Sequence, residues 1–287
     1  MTEETAKKPK KYKMLLIVPV LLLIFSIGVL ANNYSQTGEW FARSVELKGG
    51  TLVSISVQNP VDIDELERIL SERFGIVSVK ELRGLAGYGI SIETSSEIDS
   101  RDIIQELESM GIDTTDSSIE TIGPALGGAF WYQAQLGIIT AFIFMGIIVF
   151  VIFRTVIPSL AVILAAVSDI IITLAFMQIF GIELSLAGFA AILMIIGYSV
   201  DTDILLTTRF LRGSGLLIER IKRTLKTGLT MSFTSIGALA ALLLFGITPV
   251  LSQIATVLLI GLSVDIVNTW LQNSVLLRWY CEKKGIV

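Results

Sequence analysis

Six stretches of the chain are apolar over about twenty residues, the length a helix needs to cross a bilayer. They run over residues 14–31, 134–153, 156–179, 184–207, 228–246 and 251–277. Only Gly181, Ile182 and Glu183 stand between the third and fourth, and Gly246 to Pro249 separate the fifth and sixth. Links this short predict tight helical hairpins. The first stretch follows a basic segment, KKPKKYK, and carries Val29 and Ala31 where a signal peptide has small residues before its cleavage site. Its length favours an uncleaved anchor.

Between the first and second stretches the pattern changes to that of a small α+β domain. TLVSISV (51–57) is rich in β-branched residues and follows Gly49-Gly50, which predicts a strand. Asp62 and Glu65 form a capping-box-like start to a helix, on which Ile63, Leu66, Ile69, Leu70 and Phe74 recur at helical spacing before Gly75. IVSVKEL (76–82) and YGISIET (88–94) read as strands around a glycine-rich turn. A second helix carries Ile103, Ile104, Leu107 and Met110 and stops at Gly111, and SSIETIG (117–123) is a last strand. The order β-α-β-β-α-β is that of the ferredoxin-like fold. The module has no histidine, no cysteine and no glycine-rich phosphate loop. A small binding or lever domain is therefore the expected role, rather than an enzyme.

Charge is segregated along the chain. A tail of residues 1–13, the loop 209–226 (RFLRGSGLLIERIKRTLK) and a tail of residues 278–287 are basic; residues 32–132 are acidic. With the N-terminus in the cytoplasm, 15 of the 22 Lys and Arg fall in cytoplasmic segments and 18 of the 26 Asp and Glu fall outside. Basic residues collect on the cytoplasmic side, so both termini are expected inside and residues 32–132 outside. The domain plan is thus one membrane helix, one extracytoplasmic domain and a five-helix membrane unit over 133–277.

Cys281 is the one cysteine, so no intrachain disulfide and no cysteine-based metal site can form. With no histidine in the chain, proton chemistry near neutral pH falls to carboxyl groups. Four aspartates lie within the apolar stretches: Asp169, Asp201, Asp203 and Asp265. An ionised Asp at the centre of a membrane helix costs roughly 2.5–3.5 kcal/mol, so such residues face a bundle interior or an aqueous path. Asp201 and Asp203 point to opposite sides of one helix. Asp203 shares a stripe with Ser199 and Thr207, and Asp265 shares one with Asn268, Thr269 and Gln272. Thr227, Thr230 and Thr234 form a further polar stripe of the kind that draws membrane helices together. IGYSVD (196–201) and IGLSVD (260–265) match at five of six positions, each following a Gly-Ile pair. The echo suggests related hairpins with Asp201 and Asp265 in corresponding places. A purely structural role, as helix glue or partner contact, remains the alternative for all four acids.

Four segments, in order, carry a resemblance: VELKGGT (45–51), GPALGGAF (123–130), GYSVDTDILLTTR (197–209) and RTLKTGLTMSFTS (223–235). Over nearly its whole length the chain resembles the SecF family of archaeal type, the smaller subunit of the SecDF protein-export complex. The resemblance implies a six-helix half of an RND-type transporter, with a SecD-like subunit supplying the other half. It implies assistance to polypeptides crossing a SecY-type translocon, driven by the proton gradient in characterised bacterial members, with no cofactor, metal or nucleic acid. The family's acid in the fourth span falls on Asp201 or its immediate neighbours, since Asp-Thr-Asp here is closer to the V-D-A-N of SecD than to Asn-Asp. Asp201, about 12 Å of helix before Arg209, is the expected proton-responsive group, with Arg223 as its candidate cation. The competing readings are a passive assembly factor of the translocon and half of another RND-type exporter. An intramembrane aspartyl protease is a weaker third, because the G-x-G-D motif is absent.

Overall fold

The computed structural model describes residues 11–57, 61–75, 77–84, 87–212, 217–245 and 248–285. The basic residues Lys7, Lys8 and Lys10, the middle of the 209–226 loop, part of the glycine-rich turn and the Gly246-Ile247 half of the internal echo lie outside the described residues.

A short turn of helix, α1 (Lys11–Met14), leads into α2 (Ile17–Thr37), and α3 (Val45–Lys48) is a single turn before β1 (Gly50–Val57). Then come α4 (Ile63–Phe74), β2 (Val77–Gly84), β3 (Gly87–Thr94), α5 (Ser100–Ser109) and β4 (Ser117–Ile122). The bundle continues with α6 (Pro124–Phe153), α7 (Val156–Ile179), α8 (Leu186–Arg212), α9 (Leu217–Phe245) and α10 (Pro249–Val267). A π-helical segment (Asn268–Asn273) joins α10 to α11 (Ser274–Lys284). Among the described residues six helical stretches are long and apolar enough to span a membrane: Tyr12–Thr37, Pro124–Phe153, Val156–Ile179, Leu186–Arg212, Glu219–Phe245 and Val250–Lys284.

Several helices overrun the apolar stretches that announce them. α6 begins at Pro124, ten residues ahead of the apolar run, because proline suits the first helical turn, where its missing N–H costs nothing. Much of the expected 209–226 loop is likewise helical, in the last turn of α8 and the first turns of α9. Hydropathy marks what suits lipid; backbone hydrogen bonding carries the helix past it.

The strands form one antiparallel sheet in the order β2-β3-β1-β4. Alternation puts Val53, Ile55, Val77, Val79, Ile90 and Ile92 on one face, where Leu66 and Leu70 of α4 and Ile103 and Leu107 of α5 close the core. Asp62 caps α4, its side chain accepting from the Glu65 N–H at 3.2 Å, as the capping pattern predicts.

The domain is bolted to the bundle by two glycines. Gly49, at φ +86°, lies so close to α6 that a Cβ there would stand 2.6 Å from Pro124 Cα; a Cβ on Gly127 would stand 2.5 Å from Gly49 N. The Gly-Gly-Thr segment and the Gly-Pro segment, far apart in sequence, are therefore two halves of one backbone contact. A second tie runs through the α7–α8 link. Ser44 N–H donates to Leu184 O at 3.0 Å, Leu184 N–H donates to Ala42 O at 2.9 Å, and Gln253 Nε2 of α10 donates to Glu183 O at 2.9 Å.

Candidate functional site

In the bundle α7 is central, with α8 and α10 against it. Its buried face includes the small residues Ala161, Ala165, Ala166 and Ser168, which let neighbouring helices approach and exchange hydrogen bonds. At mid-height this close contact encloses a cluster of polar side chains that are almost completely buried: Asp169 of α7, Ser199 and Asp203 of α8, Asp265 of α10, and Asn268, Thr269, Gln272 and Asn273 of the π-helical segment.

The bonds join three spans. Ser199 Oγ donates to Asp169 Oδ2 at 2.6 Å and Asn268 Nδ2 donates to Asp169 Oδ1 at 2.8 Å. Asn273 Nδ2 donates to Asp203 Oδ1 at 2.6 Å, and Gln272 Nε2 reaches Ser168 Oγ at 3.4 Å. Thr269 Oγ1 lies 3.1 Å from Asp203 Oδ1 and 3.0 Å from Asp265 Oδ1. Asp203 Oδ2, Asn268 Oδ1 and Asn273 Oδ1 are buried acceptors with no donor among the described residues.

Four of these residues come from the π-helical turn. Asn268, Thr269, Gln272 and Asn273, at i, i+1, i+4 and i+5, share one side of the helix, and all four lie in the interior. Such single turns interrupt α-helices frequently at functional sites.

Three of the four aspartates singled out in the sequence, Asp169, Asp203 and Asp265, thus meet, together with Asn268 and Gln272. Asp201 does not join them. It is exposed on the opposite side of α8, one turn from Tyr198, which lines a shallow groove of about 410 Å³ with Thr234, Ser235, Ala238, Leu239 and Leu242. Among the described residues Asp201 has no ion pair. Arg223, its candidate cation, is exposed and lies 3.8 Å from Glu219 on its own helix. The echo between IGYSVD and IGLSVD therefore does not place Asp201 and Asp265 alike: one faces out, the other in. Thr227, Thr230 and Thr234 also face outward, each hydroxyl bonded to a carbonyl of its own helix. The face of α9 that does meet the bundle is one position away, Thr224, Gly228 and Ser232; a Cβ on Gly228 would stand 2.4 Å from the Trp270 ring. Periodicity finds both stripes but cannot say which one a neighbouring helix takes. Asn273 was missed although it stands eight residues after Asp265, on the same broad helical face, so the spacing did carry a signal for it.

A bundle of six membrane helices with a buried acid–amide cluster and a four-stranded domain between the first two spans defines a polytopic membrane transport protein. A family model described as "Protein export membrane protein SecD/SecF, C-terminal" matches residues 102–283. The chain is 40% identical over 274 residues to the protein-export membrane protein SecF of Pyrococcus furiosus, covering 95% of this chain and 92% of that one. It is 42% identical over 282 residues to SecF of Methanothermobacter thermautotrophicus, covering 96% and 95%. The fold matches the crystal structure of SecDF, a translocon-associated membrane protein from Thermus thermophilus, with a TM-score of 0.75 at 23% identity; the match covers 94% of this chain and 38% of that one. The chain belongs to the SecD/SecF family of protein-export membrane proteins, on its SecF side.

Proposed function

We propose that this SecF-type subunit couples proton occupancy of the Asp169–Asp203–Asp265 cluster to rearrangement of its helices, and thereby to movement of the four-stranded domain during protein export. The domain is read as ferredoxin-like and extracytoplasmic, with both termini in the cytoplasm, on the strength of its β2-β3-β1-β4 order and the charge asymmetry. A SecD-like subunit covers the face that carries Asp201, Tyr198 and Thr234. An exposed carboxylate in a span is too costly to leave against lipid. The complex assists polypeptides emerging from a SecY-type translocon.

One observation carries the proton reading. The Thr269 hydroxyl sits within hydrogen-bond distance of both Asp203 and Asp265, yet a hydroxyl has one proton to give. Both bonds form only when one of the two carboxyls holds a proton and donates it to Thr269. Asn273 donates to the same Asp203 oxygen, and Asp203 Oδ2, Asn268 Oδ1 and Asn273 Oδ1 are buried with no partner among the described residues. The site therefore has places for a proton and alternative bonds to make when it leaves. Such alternatives are what a two-state element requires.

Infrared difference spectroscopy of the reconstituted complex tests this. A protonated-carboxyl carbonyl band should be present at neutral pH, disappear on alkalinisation and be weakened in Asp203→Asn or Asp265→Asn. A spectrum without such a band at any pH favours the passive assembly reading, in which the acids only hold helices together.

A further inference from the structure

Apart from the cluster inside the bundle, a second acid pair lies where the four-stranded domain meets the membrane helices. Glu93 of β3 and Lys80 of β2 project from the sheet face opposite the α4–α5 core. Glu183 stands on the α7–α8 link, whose backbone is held by Ala42, Ser44 and Gln253. Lys80 Nζ lies 2.8 Å from Glu183 Oε1 and 3.5 Å from Glu93 Oε1. The other carboxyl oxygens, Glu93 Oε2 and Glu183 Oε2, are buried and accept no bond from the described residues. One ammonium thus bridges two carboxyls, and with both ionised the largely buried group carries a negative charge that Lys80 alone does not neutralise; a proton held between them removes it. Lys48 of α3 also faces the pair.

We propose that Glu93, Glu183 and Lys80 form a proton-dependent clasp, which fastens the open sheet face to the α7–α8 hairpin while one proton is shared and lets go when that proton is lost. The inference does not rest on proton movement at the intramembrane aspartates; the clasp faces the aqueous side and responds to the pH there.

The electrostatics set its range. Burial, and then the hydrogen bond to Glu183, push the Glu93 carboxyl up to about 7, against the pull of Lys80. Glu183 is also pushed up by burial, but the bond from Glu93 and the Lys80 ammonium outweigh this and leave it below the usual carboxylate range. Glu93, raised in the docked state, favours docking at low pH and loses that contribution as pH rises through about 7. Glu183, lowered, contributes above its ordinary range and loses that contribution only in stronger acid. The clasp is therefore closed in mildly acidic surroundings and open in mildly alkaline ones.

The test uses the complex with its SecD-like partner in lipid nanodiscs. Spin labels replace Ser95 on the domain and the exposed Phe180 beside the link, in a Cys281→Ser background. The wild-type distance distribution should be narrow near pH ~5 and broaden or lengthen as pH rises to about 7, with little further change by pH ~8.5. Glu93→Gln and Glu183→Gln each leave one acid, one amide donor and Lys80, so each should stay narrow throughout. Either variant suffices should the other fail to assemble. A wild-type distribution that ignores pH overturns the proposal. So does a pH response that survives both substitutions, or a distribution that is broad at every pH in both.

Discussion

Asp203 and Asp265, on different membrane helices, both reach the single hydroxyl of Thr269, at 3.1 Å and 3.0 Å. Because the hydroxyl gives one proton and both carboxyls are buried, the three groups act as a unit. Removing the hydroxyl leaves two acids facing each other with nothing between them. Thr269→Val keeps the shape and deletes the bond, and should cost about 1–3 kcal/mol, the penalty for stranding a buried polar group. Thermal unfolding in mild detergent, followed by the fluorescence of buried Trp270 one residue away, measures it. An unchanged midpoint would mean the acids find other partners.

The contact between Gly49 and Gly127 predicts a second defect, in docking rather than in the cluster. Gly127→Ala drives a methyl group against the Gly49 backbone, and backbone cannot swing aside as a flexible side chain does. Overfilling of this kind costs about 1–3 kcal/mol. The domain should remain folded, since its core of Val53, Ile92, Leu66 and Leu107 is separate. The link between domain and α6 should become sensitive to limited proteolysis, whereas an unaltered digestion pattern would count against the contact.

Much of the four-stranded domain was legible, because alternation and helix caps are local signals. Asp62, Gly75 and the apolar positions of α4 mark that helix almost to the residue. The intramembrane acids were legible as a set because charge is so costly there. Which of them meet was not legible. Asp201 lies two residues from Asp203 and faces the other way, and only the rotation of α8 against α7 and α10 chooses between them. The π-helical turn has no local signature in NTWLQN, whereas Asn273, eight residues after Asp265, was readable as part of the same stripe. The contact between Gly49 and Gly127 joins residues far apart in the chain, and no periodicity reports such a meeting.

The outward face of α8 and α9 predicts a partner's footprint. Cysteines at Tyr198 and Thr234, in a Cys281→Ser background, should react with a membrane-permeant maleimide in the isolated subunit and be protected in the complex. Equal labelling in both states would place the SecD-like subunit elsewhere.

The charge asymmetry predicts opposite accessibility at the two ends of the bundle. Single cysteines at Ser95 in the domain and Lys222 near the start of α9, again without Cys281, should label from the outside and the inside respectively with an impermeant reagent. Labelling of both from one side would overturn the orientation.

The central claim, that the buried acids carry the gradient-dependent part of export, is tested most directly by export from membrane vesicles with and without a proton gradient. Asp203→Asn preserves shape and most of the hydrogen bonds but cannot ionise. The account predicts that it still co-purifies with the SecD-like subunit and supports export only to the level seen without the gradient. If Asp203→Asn, and Asp169→Asn beside it, export at the full gradient-stimulated level while the partner remains bound, the account is contradicted.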